Sequence, residues 1–435
     1  MKDVLILHNI NQIVQVVDDD RTFCLLGDQM GKIKIMESDG QELAILCVEG
    51  RIEQIGIFEE ISSRFNTKEL SDVTRVDCGG GSVLPGMADA HSHPVFSGDR
   101  VHEFAMKLAG ATYMEVQAAG GGIHFTAEKT REATEEQLLE DFLEIAREML
   151  RSGTTLLEAK SGYGLELETE VKQLRVLERA TAHTPLEISA TFCGAHAIPR
   201  GATEGTQTEL IVQEMIPEID KLKQSGELSN TENVDVFCEK GVFELDNTRR
   251  ILEAGKAIGL RVNFHADELF PLGGAELGAE IGANAVSHLE ECGPRGIGAM
   301  SRSGTVAVLL PTTAYVLRLR PPPVRQMIAA GVCVALGSDF NPNAFCYAMP
   351  TVMNLACVLF RMSMPEALVA ATLHAAHSLG RGRTHGAIAV GRMADFVVLN
   401  KRNWEHLIYR MSAHQSIISY VIKNGKIVYE RKQFS

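Results

Sequence analysis

At 435 residues the chain is too long for one small core, yet it fits a single barrel of roughly 250–350 residues with a modest accessory domain. A hydrophobic share of 45% and a charged share of 23% are ordinary globular values, which argues against both disorder and membrane residence. The formal net charge of -14, with no run of Lys or Arg, excludes nucleic acid and anionic lipid as expected partners.

The start, MKDVLILHNINQ, pairs a short apolar stretch with an early Asp3 and has no small-residue cleavage site, so no secretory leader is expected there. No run of about 18 apolar residues offers a membrane span. Nine cysteines are scattered singly, without CxxC pairs, which reads as small buried side chains in a cytosolic protein.

Short β-type runs open the chain at Val4–Leu7, Ile33–Met36, Leu43–Val48 and Ile52–Ile57, separated by polar or Gly turns. The middle alternates instead. Apolar runs recur at Val83–Ala90, Thr154–Ala159, Leu186–Phe192, Val234–Cys238, Arg261–Phe264, Ala285–Ser287, Val306–Leu310 and Val332–Leu336, most of them separated by stretches long enough for a helix. One such stretch, Thr134 to Leu150, starts on a Thr134/Gln137 capping box and carries Leu138, Phe142, Ile145 and Met149 along one stripe. The end of the chain returns to β texture at Ala387–Val390, Asp395–Leu399, Ser419–Ile422 and Lys426–Tyr429, with Asn424-Gly425 as a hairpin signal. Pro321-Pro322-Pro323 reads as a rigid stretch of loop near the barrel mouth.

Eight β/α units argue for an α/β fold closed into a (β/α)8 TIM-like barrel, with a small β-sandwich domain built from both termini. The boundaries expected are 1–80 and 385–435 for the two parts of that domain and 81–384 for the barrel. An open doubly wound sheet is the structural rival, and the lack of a GxGxxG after the first strand counts against its dinucleotide-binding form.

Functional groups of such barrels gather at the C-terminal ends of the strands. The first strand ends in Asp89-Ala90-His91-Ser92-His93, where two histidines at i and i+2 of an extended chain point the same way. The fifth ends in His265-Ala266-Asp267-Glu268, the sixth in His288 and the eighth in Ser338-Asp339-Phe340-Asn341. His91, His93, His265 and Asp339 together offer three nitrogens and a carboxylate, a set for zinc or iron with a position left for water. Glu268, three residues past His265, is the candidate for moving a proton between water and substrate. His288 is read as polarising a carbonyl, as holding the water, or as a core histidine satisfied by backbone.

At these residues the chain resembles the amidohydrolase superfamily. Longer stretches narrow the likeness to the imidazolonepropionase family, in its animal forms: HEFAMKLAGATYMEVQAAGGGIHFT from His102, EAKSGYGLELETE from Glu158, FCGAH from Phe192, VDVFCEKGVF from Val234 and LPTTAYVLRL from Leu310. The resemblance implies hydrolysis of 4-imidazolone-5-propanoate to N-formimino-L-glutamate in histidine degradation, with one divalent or trivalent ion per chain, zinc or iron. It implies metal ligation by His91, His93, His265 and Asp339, catalysis involving Glu268, His288 and Asp339, and substrate contacts from Arg100, Tyr163, His196, Glu268 and Asn341. A guanidinium such as that of Arg100 suits the propanoate arm, because it can hold a carboxylate through two charge-assisted hydrogen bonds. A homodimer is also expected. The reading SDFNPNA departs from many bacterial forms at Asn343 and Ala344, which puts backbone or hydroxyl contacts there in doubt.

Three rivals remain at this point: an aminohydrolase releasing ammonia from a heterocycle, a binuclear hydrolase bridged by a carboxylated Lys240, and a non-catalytic scaffold. The last would need missing ligands, and none is missing.

Overall fold

A computed structural model of the chain describes residues 3–64, 73–110, 115 and 121–432. Part of the diagnostic stretch from His102 therefore lies outside the described residues.

Sixteen strands are present among them: β1 Val4–Val16, β2 Lys34–Glu37, β3 Leu43–Val48, β4 Arg51–Ile57, β5 Thr74–Pro85, β6 Met87–Asp89, β7 Thr154–Lys160, β8 Glu187–Ala195, β9 Thr231–Cys238, β10 Arg261–Ala266, β11 Ala285–His288, β12 Val306–Leu309, β13 Val334–Leu336, β14 Phe396–Leu399, β15 Ile418–Lys423 and β16 Lys426–Glu430. They form two eight-stranded sheets. By contacts the chain divides into two compact units, one of Met1–Ala90, Arg147–Leu156 and Ala348–Ser435, the other of His91–Ala146 and Leu157–Tyr347.

The sheet built from both termini is one continuous mixed sheet in the order β16-β15-β14-β5-β1-β3-β4, with β2 on β1. β1 and β5 run parallel, and β1 alternates its faces: Leu5, Leu7 and Ile13 enter one core cluster with Ile45 and Phe396, while Ile6 enters another with Leu46 and Ile61. Asn424 and Gly425 both take positive φ, 51° and 72°, which gives the β15–β16 hairpin the turn handedness that matches strand twist. The expected strand at Ala387–Val390 does not form; Ile388 exchanges hydrogen bonds singly with Gln15, and the chain turns at Gly391 with φ 90°.

The second sheet has the sequential order β6-β7-β8-β9-β10-β11-β12-β13 and forms a nearly closed barrel. Every residue of β7 is buried, as expected of a parallel strand covered on both faces. The expected run at 83–90 is divided: Val83–Pro85 ends β5, and Met87–Asp89 is the first barrel strand. The break falls at Gly86, where a Cβ would lie 2.3 Å from Thr155 Oγ1, so only glycine permits this approach. Just past the strand ends the barrel is tied shut: His93 N–H donates to the Phe340 carbonyl at 2.8 Å and Asp339 N–H to the His91 carbonyl at 2.8 Å. The Glu135–Arg151 helix begins as read, with reciprocal Thr134/Gln137 bonds of 3.0 and 3.2 Å. Its Leu138, Phe142 and Met149 are buried, and Ile145 is half-buried. Cys47, Cys78, Cys193, Cys238, Cys292 and Cys333 are buried, whereas Cys24, Cys346 and Cys357 are part-exposed. No helix among the described residues is long and apolar enough to cross a membrane.

Candidate active site

The barrel closure sets the first ligands. Because the backbones of His91, His93 and Asp339 are hydrogen-bonded across the seam, residues distant in sequence share one end of the barrel. Gly337 is needed beside them: a Cβ there would come 2.8 Å from that of His91. Asp267, His288, Leu289 and Asp339 all hold positive φ, between 46° and 76°, a conformation costly for non-glycine residues and one that concentrates at functional sites. At Asp267 the reason is local. Its carboxylate accepts from the N–H groups of Gly273, Gly274 and Ala275 and so caps the next helix, which leaves the following residue, Glu268, in the cavity.

The three imidazoles and the aspartate converge. His93 Nε2 lies 3.2 Å from His265 Nε2, and Asp339 Oδ1 lies 3.5 Å from His91 Nε2 and 3.7 Å from His93 Nε2. Four ligands placed tetrahedrally at 2.0–2.1 Å from an ion are about 3.3 to 3.4 Å from one another, so these spacings fit one metal ion. Ring orientation supports the same reading. His265 Nδ1 donates to Asp235 Oδ1 at 2.8 Å and His91 Nδ1 is 2.8 Å from Ser287 Oγ, which directs both Nε2 atoms inward. Burial, reinforced by Lys160 and by neighbouring histidines, holds His91 and His93 well below the usual imidazole range, so both rings are neutral and available as ligands. Asp339 is pushed up by burial, against a hydrogen bond from Thr313 Oγ1.

Glu268 and His288 sit together beside this set, with His288 Nδ1 3.7 Å from Glu268 Oε1 and 3.8 Å from Glu290 Oε2. Burial, then the charges of Asp339 and Glu239, drives Glu268 well above the ordinary carboxylate range, the direction that suits a carboxyl group for proton transfer. His288 is held low by burial and then by His265. His91, His265 and His288 also form a group whose nitrogens could meet one ion, as do His93, His196 and His265.

The remaining expected contacts line a cavity of about 370 Å3 together with Glu268 and Asp339. Arg100 is buried, with Nε donating to Thr126 Oγ1 at 2.9 Å and lying 3.7 Å from Glu103 Oε1, and among the described residues its Nη2 has no hydrogen-bond partner. Tyr163 is buried on a loop shaped by Glu170, whose carboxylate accepts from Gly162, Gly164 and Leu165 N–H at 3.0, 2.8 and 2.8 Å. His196 donates through Nδ1 to the Gly162 carbonyl at 2.9 Å and stacks on His93 at 4.6 Å, and burial lowers it to about 3. Asn341 faces the cavity, but much of its amide is engaged in the turn after Asp339: Nδ2 donates to the Asp339 carbonyl and Oδ1 accepts from Asn343 and Ala344 N–H. Asn343 also takes a hydrogen bond from Lys107 Nζ.

Lys240 does not belong to this group. It is exposed, with its amine 5.2 Å from the Phe270 ring centroid, so a carboxylated lysine bridging two ions is not set up there. Sequence reasoning passed over Asp235, Lys160, Thr313, Ser287, Glu170 and Glu290. For Glu158, Lys160 and Asp235 a signal existed, since charged residues inside apolar strand runs are rarely buried without partners.

The amidohydrolase family model matches residues 82–428 of the chain. A protein of Nematostella vectensis named probable imidazolonepropionase is 54% identical over 434 residues, covering 99% of this chain and 100% of that one. Its Homo sapiens namesake is 52% identical over 426 residues, covering 98% of each. Among solved structures, E. coli guanine deaminase superposes with a TM-score of 0.69 at 17% identity, covering 99% of both chains. An adenosine deaminase of Xanthomonas campestris with bound zinc gives 0.67 at 19%, covering 97% of this chain and 92% of that one. These structures share the fold.

Proposed function

The chain belongs to the amidohydrolase family, and within it to the imidazolonepropionases; from that premise we propose that it hydrolyses 4-imidazolone-5-propanoate to N-formimino-L-glutamate in histidine degradation. The observation that carries the reading is one cavity lined by His93, His265 and Asp339 of the donor set, by Glu268 and by the buried Arg100, whose Nη2 has no hydrogen-bond partner among the described residues. The products balance simply: a water oxygen bonds to the ring carbonyl carbon, the bond from that carbon to the ring nitrogen breaks, and a water proton ends on the nitrogen.

His91, His93, His265 and Asp339 would hold zinc or iron, which would supply Lewis acidity and make water more acidic at the site. Glu268 takes the proton from water and delivers it to the departing nitrogen. Asp339 shares in that transfer, and His288, 3.7 Å from Glu268 and 3.8 Å from Glu290 through Nδ1, polarises the ring carbonyl or holds the water. Arg100 binds the propanoate carboxylate, with Tyr163, His196 and Asn341 orienting the ring. The enzyme works as a cytosolic homodimer on this small substrate, with the barrel drawn from residues 81–384 and the terminal domain from 1–80 and 385–435.

Mass-spectrometric detection of N-formiminoglutamate, after mixing the zinc- or iron-loaded protein with freshly made imidazolonepropanoate, tests the reaction. Product above the spontaneous rate, abolished by chelation, is expected. No product from a metal-loaded sample overturns the substrate, and ammonia release from an aminated heterocycle would move the assignment to an aminohydrolase. Light scattering on the same preparation tests the dimer, which a monomer mass would reject.

A further inference from the structure

Beneath the donor set lies an ionic cluster that the reaction above does not use. Glu158 and Lys160 stand at i and i+2 on β7, Asp235 is on β9, and all three are buried, at no more than 1% exposure. Lys160 Nζ is 2.5 Å from Glu158 Oε1 and 2.6 Å from Asp235 Oδ2. Thr191 Oγ1 donates to Glu158 Oε1 at 2.5 Å. The other oxygen of Asp235, Oδ1, accepts from both His265 Nδ1, at 2.8 Å, and His265 N–H, at 3.2 Å.

Stability alone is a weak reason for such a cluster, because desolvating buried ion pairs roughly cancels their attraction and apolar replacements are often as good. The geometry supplies another reason. The carboxylate of Asp235 is divided, with one oxygen on Lys160 and the other on His265, and a carboxylate held at both ends cannot rotate away from the imidazole. His265 is thereby kept in the tautomer whose Nε2 points at His93 Nε2, 3.2 Å away.

We propose that Lys160 is a positioning residue for the metal site, acting through Asp235 to fix the ring of His265, and that Glu158 balances its charge. The proposal rests on the reading of His265 as a metal ligand and is independent of which substrate the enzyme takes. Lys160 reaches the ligands His91 and His93 only through its charge, whereas its contact with Asp235 leads directly to the ring of His265, and comparing its substitution with and without Asp235 separates the two effects.

The test measures zinc affinity of the full-length protein by competition with a fluorescent chelator, with thermal melting of each sample recorded alongside. Lys160→Met is expected to weaken zinc binding about tenfold to a hundredfold while still melting cooperatively, the range typical when a partner behind a metal ligand is lost. In an Asp235→Asn background the same Lys160→Met change should cost less than about threefold further, since the path is already cut. Unchanged affinity in Lys160→Met, or an equal loss in both backgrounds, overturns the proposal. Should Lys160→Met fail to fold, Asp235→Asn alone carries the test: a loss of tenfold or more supports the path, and wild-type affinity refutes it. A wild-type protein that binds zinc but yields no N-formiminoglutamate would instead count against the substrate and leave this proposal standing.

Discussion

Leu5, Leu7, Ile13, Ile45, Phe396 and Val398 fill the core of the terminal mixed sheet with apolar side chains, whereas the barrel strands bury Glu158, Lys160, Asp235 and His265 just as thoroughly. The first core is held by area removed from water and tolerates any side chain of suitable size and shape. The second keeps groups whose burial is costly, and it keeps them where their partners and their aim matter. The two regions should therefore fail differently: damage to the first lowers stability and leaves chemistry intact, whereas damage to the second reaches the metal site as well as stability.

The largest expected effect comes from Phe396→Ala, which should destabilise folding by about 3–5 kcal/mol in denaturant titration through transfer and cavity terms. Its kcat per folded molecule and its zinc affinity should match the wild type; a large change in either would blur the contrast. Next is Glu268→Ala, expected to retain metal while turnover falls by about two or more orders of magnitude, at least about 2.7 kcal/mol of barrier. Near-normal turnover would remove Glu268 from the chemistry. Arg100→Ala should raise KM about tenfold to a hundredfold with a smaller change in kcat, as loss of a charge-assisted contact implies. A KM unchanged for the propanoate substrate would reject the carboxylate clamp.

The smallest effect concerns pH. In metal-free protein the buried His91, His93 and His288 have folded pKa values well below 6.5, so on acidification through 6.5 the unfolded chain takes up protons that the folded chain refuses. Their contribution is present above 6.5 and is lost as pH falls toward the folded values. Glu268 acts with the opposite sign: its folded pKa is raised above 4.5, so acidification toward 4.5 relieves its burial cost. Melting temperature of the metal-free protein should thus fall more steeply below pH 6.5 in Glu268→Gln than in the wild type. Parallel curves would show that Glu268 is not held protonated by burial.

Much of this contrast can be read along the chain. Periodicity placed all eight barrel strands to within a few residues, and the HxH, HxxE, H and SD endings marked the end of the barrel where the donor set lies. It failed where a run of suitable residues was longer or shorter than the element it belongs to. The 83–90 run is continuous in hydrophobicity, and only the approach of Thr155 to Gly86 divides it. Ala387–Val390 has β composition, yet its backbone groups find Gln15 one at a time instead of a neighbouring strand. Arg100, Tyr163 and His196 were nameable because of the family likeness, since nothing in their spacing carries them to one cavity.

The sequence by itself determined the alternation of β and α, the apolar strands, the loop chemistry at Asn424-Gly425 and the residue types available to hold a metal, because these depend on local conformation and on side-chain chemistry. Only the tertiary structure decided that Asp339 closes against His91, that Asp235 stands behind His265, and that Lys160 rather than Lys240 is the buried lysine beside the site. Those relations depend on the register in which distant strands pair around the barrel, and a register is a property of the assembled sheet that no single stretch of chain contains.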